Sequence, residues 1–147
     1  MEKRVESLED FNNEARAFAA RLVPRDGNAT LVTLSGELGA GKTAFTKAAA
    51  GALGVEEVVN SPTFVLEKIY QLPRETGSTG FARLVHIDAY RLDSGAELGS
   101  LGFEELMRSP GNLVFLEWPE KVADALPSPA AAISIALAGG SRVISYA

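Results

Sequence analysis

A glycine-rich segment at residues 36–43, GELGAGKT, constrains the fold of this chain more than any other feature. It fits the pattern G-x-x-x-x-G-K-[ST], the phosphate-binding P-loop, whose backbone N–H groups surround a phosphate at the start of a helix. The β-branched, apolar residues 29–35 predict a buried strand before it, and the alanine-rich residues 44–53 predict a helix after it. This context favours a nucleotide site over a chance match in a turn. In such a site Lys42 meets the β- and γ-phosphates and Thr43 offers its hydroxyl to Mg²⁺.

The composition narrows the classes of protein that the chain can represent. Its 147 residues predict a single domain over 1–147, and 46% hydrophobic residues can form a sizeable core. A net charge of −5 disfavours binding nucleic acid by charge alone, so any link to RNA is expected to run through a partner or a local basic patch. The chain has no cysteine, which excludes disulfides and thiol catalysis and fits the cytoplasm. No stretch is long enough to span a membrane, and the N-terminus lacks the apolar run of a signal peptide.

The remaining periodicities predict an alternation of helices and strands. Helices are expected over 8–22 and 96–106, the second interrupted near Gly99 and Gly102, with at most a short helix over 121–126. Strands are expected over 64–70, 81–87, 113–116, 131–137 and 142–146. The spacing suggests a hairpin that pairs 64–71 with 82–87. The predicted fold is α/β: a P-loop NTPase-like three-layer fold with a mixed, mainly parallel sheet, an added β-hairpin and late C-terminal strands.

Two carboxylates follow apolar strands, where ligands bind in open α/β sheets. Glu117 comes directly after the apolar run 113–116, and Asp88 follows the strand 81–87. A P-loop site needs such a carboxylate to hold or orient Mg²⁺, so both are candidate metal ligands. The alternatives are a solvated charge at a strand end for Glu117 and a helix-capping or turn aspartate for Asp88.

Four further side chains have both a functional and a structural interpretation. Thr63 lies in the loop region after the P-loop helix, where a threonine can reach the γ-phosphate and Mg²⁺, but Ser-Pro-Thr is also an ordinary entry to a strand. His86, the only histidine, is expected to be a hydrogen-bonded structural residue. Trp118 either covers the nucleotide site or packs at the strand end. Arg91 either faces phosphate or forms a salt bridge.

The motifs that are missing also guide the interpretation. The sequence contains no Asn-Lys-x-Asp segment, which argues against guanine recognition, and no arginine-rich lid of the kind found in small-molecule kinases. Arginines near the candidate site are few, mainly Arg83 and Arg91. We therefore expect slow turnover unless a partner completes the site.

Four segments in order resemble the TsaE (YjeE) family of small bacterial P-loop ATPases: GELGAGKT at 36–43, SPTF at 61–64, HIDAYRL at 86–92 and LEWPE at 116–120. The resemblance implies a cytoplasmic ATPase that binds ATP and Mg²⁺ in threonylcarbamoyladenosine modification of tRNA. It implies a partnership with the TsaB–TsaD heterodimer, contact with tRNA only through that complex, and no membrane association. The family usually has Leu at the position of Ala89 and commonly Thr or Ser at that of Ala44, and neither change removes a charged or ligating group.

The resemblance also implies roles for individual residues. Thr43 and Glu117 would bind Mg²⁺, Asp88 would be an active-site carboxylate, and Thr63 would belong to a switch-like loop, with Lys42 completing the catalytic set. It leaves open whether Asp88 or Glu117 is the main metal ligand. The implied nucleotide contacts are Gly36, Gly39, Ala40, Gly41, Lys42, Thr43, Ala44, Trp118 and, by a loose alignment, Arg142.

Two other functions use the same loop. A small-molecule phosphotransferase would need an acceptor pocket with a positioned base, and the sequence offers no such set. A nucleotide-dependent switch module would use ATP only to order a loop for a partner, with negligible turnover.

Overall fold

The computed structural model describes residues 1–56, 67–73 and 80–147. Within them, seven strands form one sheet in the order β1-β7-β6-β2-β5-β4-β3. The strands are β1 (Glu2–Val5), β2 (Thr30–Ser35), β3 (Glu67–Gln71), β4 (Arg83–Asp88), β5 (Asn112–Glu117), β6 (Ala131–Ala138) and β7 (Ser141–Tyr146). Two helices, α1 (Leu8–Ala20) and α2 (Lys42–Ala52), cover one face, and α3 (Phe103–Met107) packs with a 3₁₀ helix (Gly95–Leu101) on the other. The predicted three-layer α/β fold is confirmed.

The centre of the sheet is parallel. Strands β6, β2, β5 and β4 run in the same direction, whereas β3, β7 and β1 are antiparallel to their neighbours. This arrangement confirms the mixed sheet, the late C-terminal strands and the hairpin, in which β3 pairs with β4. Residues 64–66 of the predicted hairpin lie outside the described residues. Parallel strands end at a common edge, so the register places Leu34, Glu117 and Asp88 side by side.

The helices differ from the predictions mainly at their ends. Ser7 caps α1 by accepting a hydrogen bond from the backbone N–H of Asp10 at 3.0 Å, and the helix ends at Ala20, two residues early. The helix predicted over 96–106 is divided into the 3₁₀ helix and α3 by Gly102, whose φ of 72° interrupts the helical geometry. Gly99 does not interrupt it. The short helix predicted over 121–126 is two single 3₁₀ turns, Pro119–Lys121 and Ala123–Ala125.

Strand β1 (Glu2–Val5) was not predicted from the sequence. Its residues are largely polar and exposed, and only Val5 is buried, so the segment lacks the apolar alternation that identifies a strand. The strand exists because its backbone pairs with the edge of β7, from Glu2 opposite Ser145 to Val5 opposite Arg142. Main-chain pairing of this kind leaves no side-chain pattern in the sequence.

Side chains alternate between two cores along β4 and β5. Leu84, Leu113 and Phe115 face α1 and α2, whereas Val85 and Val114 face α3. Strand β5 is buried on both faces, as central parallel strands are. Glu117 is its last residue, so the carboxylate lies at the edge of the sheet. Within the described ranges, no helix has the length and apolar character that crossing a membrane requires.

Candidate functional site

The glycine-rich loop between β2 and α2 depends on two glycines that contact neighbouring elements. Gly36 has a φ of 146°, and a Cβ atom there would lie 2.4 Å from the carbonyl oxygen of Ile135 on β6. Gly41 has a φ of 119°, and its Cβ would lie 3.1 Å from the ring of Phe11 on α1. Beside Gly39, by contrast, no atom of another described residue lies within 4 Å of a Cβ position, apart from its two chain neighbours, so the apex of the loop faces open space there. The loop is therefore packed at both ends and accessible in the middle.

The start of α2 is built to bind an anion. Its N-cap, Gly41, provides no side-chain capping hydrogen bond, so the first N–H groups of the helix, from Lys42 and Thr43, are not satisfied by a capping side chain. The neighbouring alanines contribute backbone only: Ala40 is buried and Ala44 packs partly against the core. Uncapped N–H groups at the positive end of a helix dipole fit a phosphate group.

Lys42 is held inside the loop. Its side chain is only 4% exposed, and Nζ donates hydrogen bonds to the carbonyl oxygens of Gly36 at 2.6 Å and Glu37 at 2.9 Å. The ring of Trp118 lies 4.2 Å from Nζ on another side. Burial lowers the pKa of this amine below its ordinary value of 10.5. Three carboxylates oppose that shift, namely Glu117, Asp88 and Glu120.

Glu117 is the centre of a buried hydrogen-bonded group. The side chain of Thr43 donates from Oγ1 to the carboxylate, 3.2 Å from Oε1 and 3.0 Å from Oε2. His86 Nε2 lies 2.6 Å from the same Oε2. Glu117 is 2% exposed and His86 is fully buried. The alternative interpretation of Glu117 as a solvated strand-end charge is therefore wrong.

Asp88 lies beside Glu117 in the next parallel strand. Its Oδ1 accepts a hydrogen bond from the backbone N–H of Tyr90 at 3.0 Å, so it also stabilises the turn that follows β4. In the described part of the chain, no three His, Cys, Asp or Glu side chains are placed to hold a metal ion by themselves. The Thr43 hydroxyl and the Glu117 carboxylate form an oxygen-only pair instead. Such a pair fits Mg²⁺, which usually keeps several waters and takes few protein ligands.

Trp118 covers Lys42. It is the only described residue other than glycine with a positive φ, at 61°, and its backbone N–H donates to the carbonyl oxygen of Leu34 at 3.0 Å. This turn at the end of β5 places the indole between Lys42 and Tyr90, whose ring centre lies 5.0 Å from that of Trp118. The side chain therefore both packs at the strand end and forms a wall of the candidate site.

A cleft of about 630 Å³ opens beside the loop. It is bounded by the loop, by the turn after β5 and by the outer face of β6, and its lining includes Ser35, Gly36, Leu38, Trp118, Ser134 and Ala136. A volume of this size is within the usual range for small-molecule and cofactor sites. No individual residue of the β6 wall was identified from the sequence, because only the sheet order shows that β6 neighbours β2.

The structure places Arg142 next to the loop. Its guanidinium lies 5.3 Å from the ring centre of Phe11, and its Nε is 3.7 Å from the position that a Cβ on Gly41 would take. This Nε is buried and has no hydrogen-bond partner among the described residues. A smaller cavity of about 230 Å³ lies beside Arg142, at the start of α1.

The two arginines expected near the site occupy different places. Arg83 donates from Nε to Asn112 at 2.9 Å at the amino-terminal ends of β4 and β5, opposite to the edge that carries Asp88. The expectation for Arg83 is therefore wrong, because the parallel register puts the start of β4 far from its end. Arg91 is exposed in the turn after Asp88.

The prediction for Thr63 is not tested by the structure, whereas the prediction for His86 is. Thr63 and the rest of the segment 61–64 lie outside the described residues, so the switch-like loop stays a prediction. His86 is hydrogen-bonded, as expected, but its partner is the site carboxylate, which the sequence analysis did not foresee. A signal was present: a lone histidine in an apolar strand must find a buried polar partner, and Glu117 ends the next strand.

Comparison with known proteins gives a consistent result. The family model described as "Threonylcarbamoyl adenosine biosynthesis protein TsaE" matches residues 6–144. A tRNA threonylcarbamoyladenosine biosynthesis protein TsaE from Treponema pallidum is 40% identical over 119 residues, which cover 80% of this chain and 82% of the relative. The TsaE protein of Bacillus subtilis is 36% identical over 136 residues, or 92% of this chain and 77% of the relative.

A solved structure shows the same architecture. The crystal structure of YdiB from Bacillus subtilis superposes with a TM-score of 0.75 at 28% identity, covering 99% of this chain and 83% of that one. Together with the family match over residues 6–144, this shows that the chain belongs to the TsaE family, which acts in tRNA threonylcarbamoyladenosine biosynthesis.

Proposed function

We propose that this protein binds and hydrolyses ATP with Mg²⁺, and that it supports threonylcarbamoyladenosine modification of tRNA together with the TsaB–TsaD heterodimer. The observation that carries the proposal is the contact of Thr43 Oγ1 with both oxygens of Glu117, at 3.0 and 3.2 Å, next to Lys42. A hydroxyl, a carboxylate and a lysine at an uncapped helix N-terminus are the groups that P-loop ATPases use toward Mg²⁺ and phosphates. Family membership supports the pathway.

Each group of the chain has a distinct task in this proposal. Bound ATP supplies the phosphoryl group, and Mg²⁺ neutralises charge on its phosphate oxygens. Lys42 and the first N–H groups of α2 hold the β- and γ-phosphates. Thr43 and Glu117 are the residues that would hold Mg²⁺, and Asp88 is a second active-site carboxylate that binds the metal or orients the attacking water. Trp118, which lies beside Lys42, and Arg142, which lies beside Gly41, would contact the rest of the nucleotide.

Partner dependence follows from the charges around the site. Phosphoryl transfer develops negative charge that an arginine commonly neutralises. Arg83 lies at the far end of β4, and Arg142, although it is next to the loop, packs against the ring of Phe11. We propose that the TsaB–TsaD pair completes the site, by supplying a cation or by ordering the loop around Thr63. Action within a tRNA-modifying complex would place the protein in the cytoplasm.

The direct test is phosphate release from ATP by the purified chain, alone and with the TsaB–TsaD pair and tRNA. The proposal predicts slow release by the chain alone, a clear increase with the partners, and loss of both in Lys42→Ala. ATP binding without phosphate release in every mixture would contradict the ATPase assignment and support a switch module. The absence of ATP binding would contradict the whole proposal.

A further inference from the structure

The imidazole of His86 has a single polar contact in the described part of the chain. Its Nε2 lies 2.6 Å from Glu117 Oε2, and its Nδ1 is buried with no hydrogen-bond partner among the described residues. A carboxylate oxygen can only accept, so Nε2 carries the proton and donates it. A hydrogen bond this short to a charged group is stronger than an ordinary neutral one. The ring is thus fixed by one strong bond, and that bond ends on the site carboxylate.

The two oxygens of Glu117 are held unequally. Among the described residues, Oε2 accepts from both His86 and Thr43, whereas Oε1 accepts from Thr43 alone, at the longer distance of 3.2 Å. If the Thr43 hydroxyl turns toward a cation, His86 is the one described side chain that still donates a hydrogen bond to the carboxylate. Oε2 then stays anchored inside the sheet, and Oε1 is left to face the site.

We propose that His86 is a positioning residue that presents Glu117 to Mg²⁺ and so sets the coupling between Mg²⁺ and nucleotide binding. The inference rests on the proposed function, because it needs a metal at Thr43 and Glu117. Hydrogen-bonding partners of metal-binding side chains orient those side chains, and their loss typically costs 10- to 100-fold in metal affinity. A purely structural histidine would instead affect only the stability of the fold.

The test measures the dissociation constant of a non-hydrolysable ATP analogue by calorimetry, in excess Mg²⁺ and in EDTA, on the tag-free full chain. The ratio of the two constants is the Mg²⁺ coupling. His86→Leu removes the donor but keeps a similar volume, and it should lower this ratio about 10-fold while leaving the constant in EDTA unchanged. His86→Gln keeps a donor at a similar reach and should restore most of the ratio.

Val85→Ala is the matched control. Val85 is the buried neighbour on the same strand but faces the opposite core, so its truncation weakens the fold without touching Glu117. Its coupling ratio should equal that of the wild type. An unchanged ratio in His86→Leu, or an equal fall in Val85→Ala, would overturn the inference. Absence of nucleotide binding or of Mg²⁺ coupling in the wild type would instead overturn the proposed function, and the inference with it.

A second measurement needs no variant. The chain has one histidine, so a ¹H–¹⁵N spectrum of the imidazole reports on His86 alone. The inference predicts a protonated, hydrogen-bonded Nε2 that persists when Mg²⁺ and the analogue are added. A proton on Nδ1 only, or loss of the Nε2 hydrogen bond on loading, would overturn it even if His86→Leu fails to fold.

Discussion

Two charged side chains of this site are buried, and each is hydrogen-bonded to polar groups around it. Lys42 and Glu117 are almost completely buried, and each has polar partners that compensate the loss of water. Lys42 is bound by two carbonyl oxygens of its own loop, and Glu117 by a hydroxyl and an imidazole. These contacts hold both side chains in place, and Gly36 at the start of the loop allows β6 to approach closely enough for that geometry.

Gly36→Ala should destabilise the protein and weaken ATP binding. The added Cβ would lie 2.4 Å from a backbone oxygen of β6, and the φ of 146° is unfavourable for alanine. Steric overlap and backbone strain together suggest a loss of about 2–4 kcal/mol in the free energy of unfolding. Chemical denaturation measures this directly.

Gly51→Ala is the matched control for that experiment. Gly51 lies in α2, and outside the backbone of that helix no atom of the described residues lies within 4 Å of a Cβ position. The same substitution should there raise stability by about 0.5–1 kcal/mol, because alanine is the better helix former. Equal effects of the two substitutions would contradict the packing described for the loop.

At the level of elements, parallel registers bring β2, β5 and β4 to one edge and so collect the loop and both carboxylates. The sequence was sufficient to predict this edge, because apolar runs followed by Glu117 and Asp88 have a clear pattern. The sequence did not predict β1, which forms by backbone pairing, or the contact of His86 with Glu117. It also led to the wrong expectation that Arg83 lies near the site. These features depend on which strands are neighbours in the sheet, and the apolar periodicity of single segments does not encode strand order.

The last strand is fastened to the first helix through Tyr146. Its hydroxyl donates to Glu14 at 2.8 Å and its ring stacks on Phe18 at 5.6 Å between centres. Tyr146→Phe keeps the stacking and loses the hydrogen bond, so the free energy of unfolding should fall by about 1–2 kcal/mol at neutral pH. Tyr90→Phe, at a position 46% exposed, is the control and should change it by less than about 0.5 kcal/mol.

The same tyrosine predicts a dependence on pH. Burial, and then the bond to Glu14, raises the pKa of Tyr146 above its ordinary value of 10.0. A raised pKa in the folded state means that its contribution is complete below pH 10 and declines as the pH rises beyond it. In denaturant titrations above pH 10, the wild type should lose stability more steeply than Tyr146→Phe. Parallel curves would show that the hydroxyl is not held as described.

For the whole molecule, the central question is how an acidic protein with few arginines at its site contributes to a reaction on tRNA. The net charge of −5 makes direct tRNA binding by charge unfavourable, so we expect contact through TsaB and TsaD. An arginine supplied by a partner can increase phosphoryl transfer by roughly 10³-fold or more. A partner that only orders a loop would act without new charge.

Thr63→Ala separates these two modes of stimulation. If the partner orders the loop around this residue, the increase in phosphate release caused by TsaB–TsaD should disappear in the variant. If the partner supplies a cation, much of the increase should remain. Wild type and variant are measured with and without the pair. Turnover of the isolated wild type that equals that of the complex would contradict partner completion in either form.

Calorimetric titration of the chain with ATP and with GTP, each in Mg²⁺, tests the central claim most directly. We expect one site that prefers ATP, because the sequence has no guanine-reading Asn-Lys-x-Asp segment. We also expect Lys42→Ala to lose this binding while its cooperative thermal transition persists, since the loop is built largely from backbone groups. Equal or tighter binding of GTP, or full ATP binding by a folded Lys42→Ala protein, would contradict the proposed ATP site.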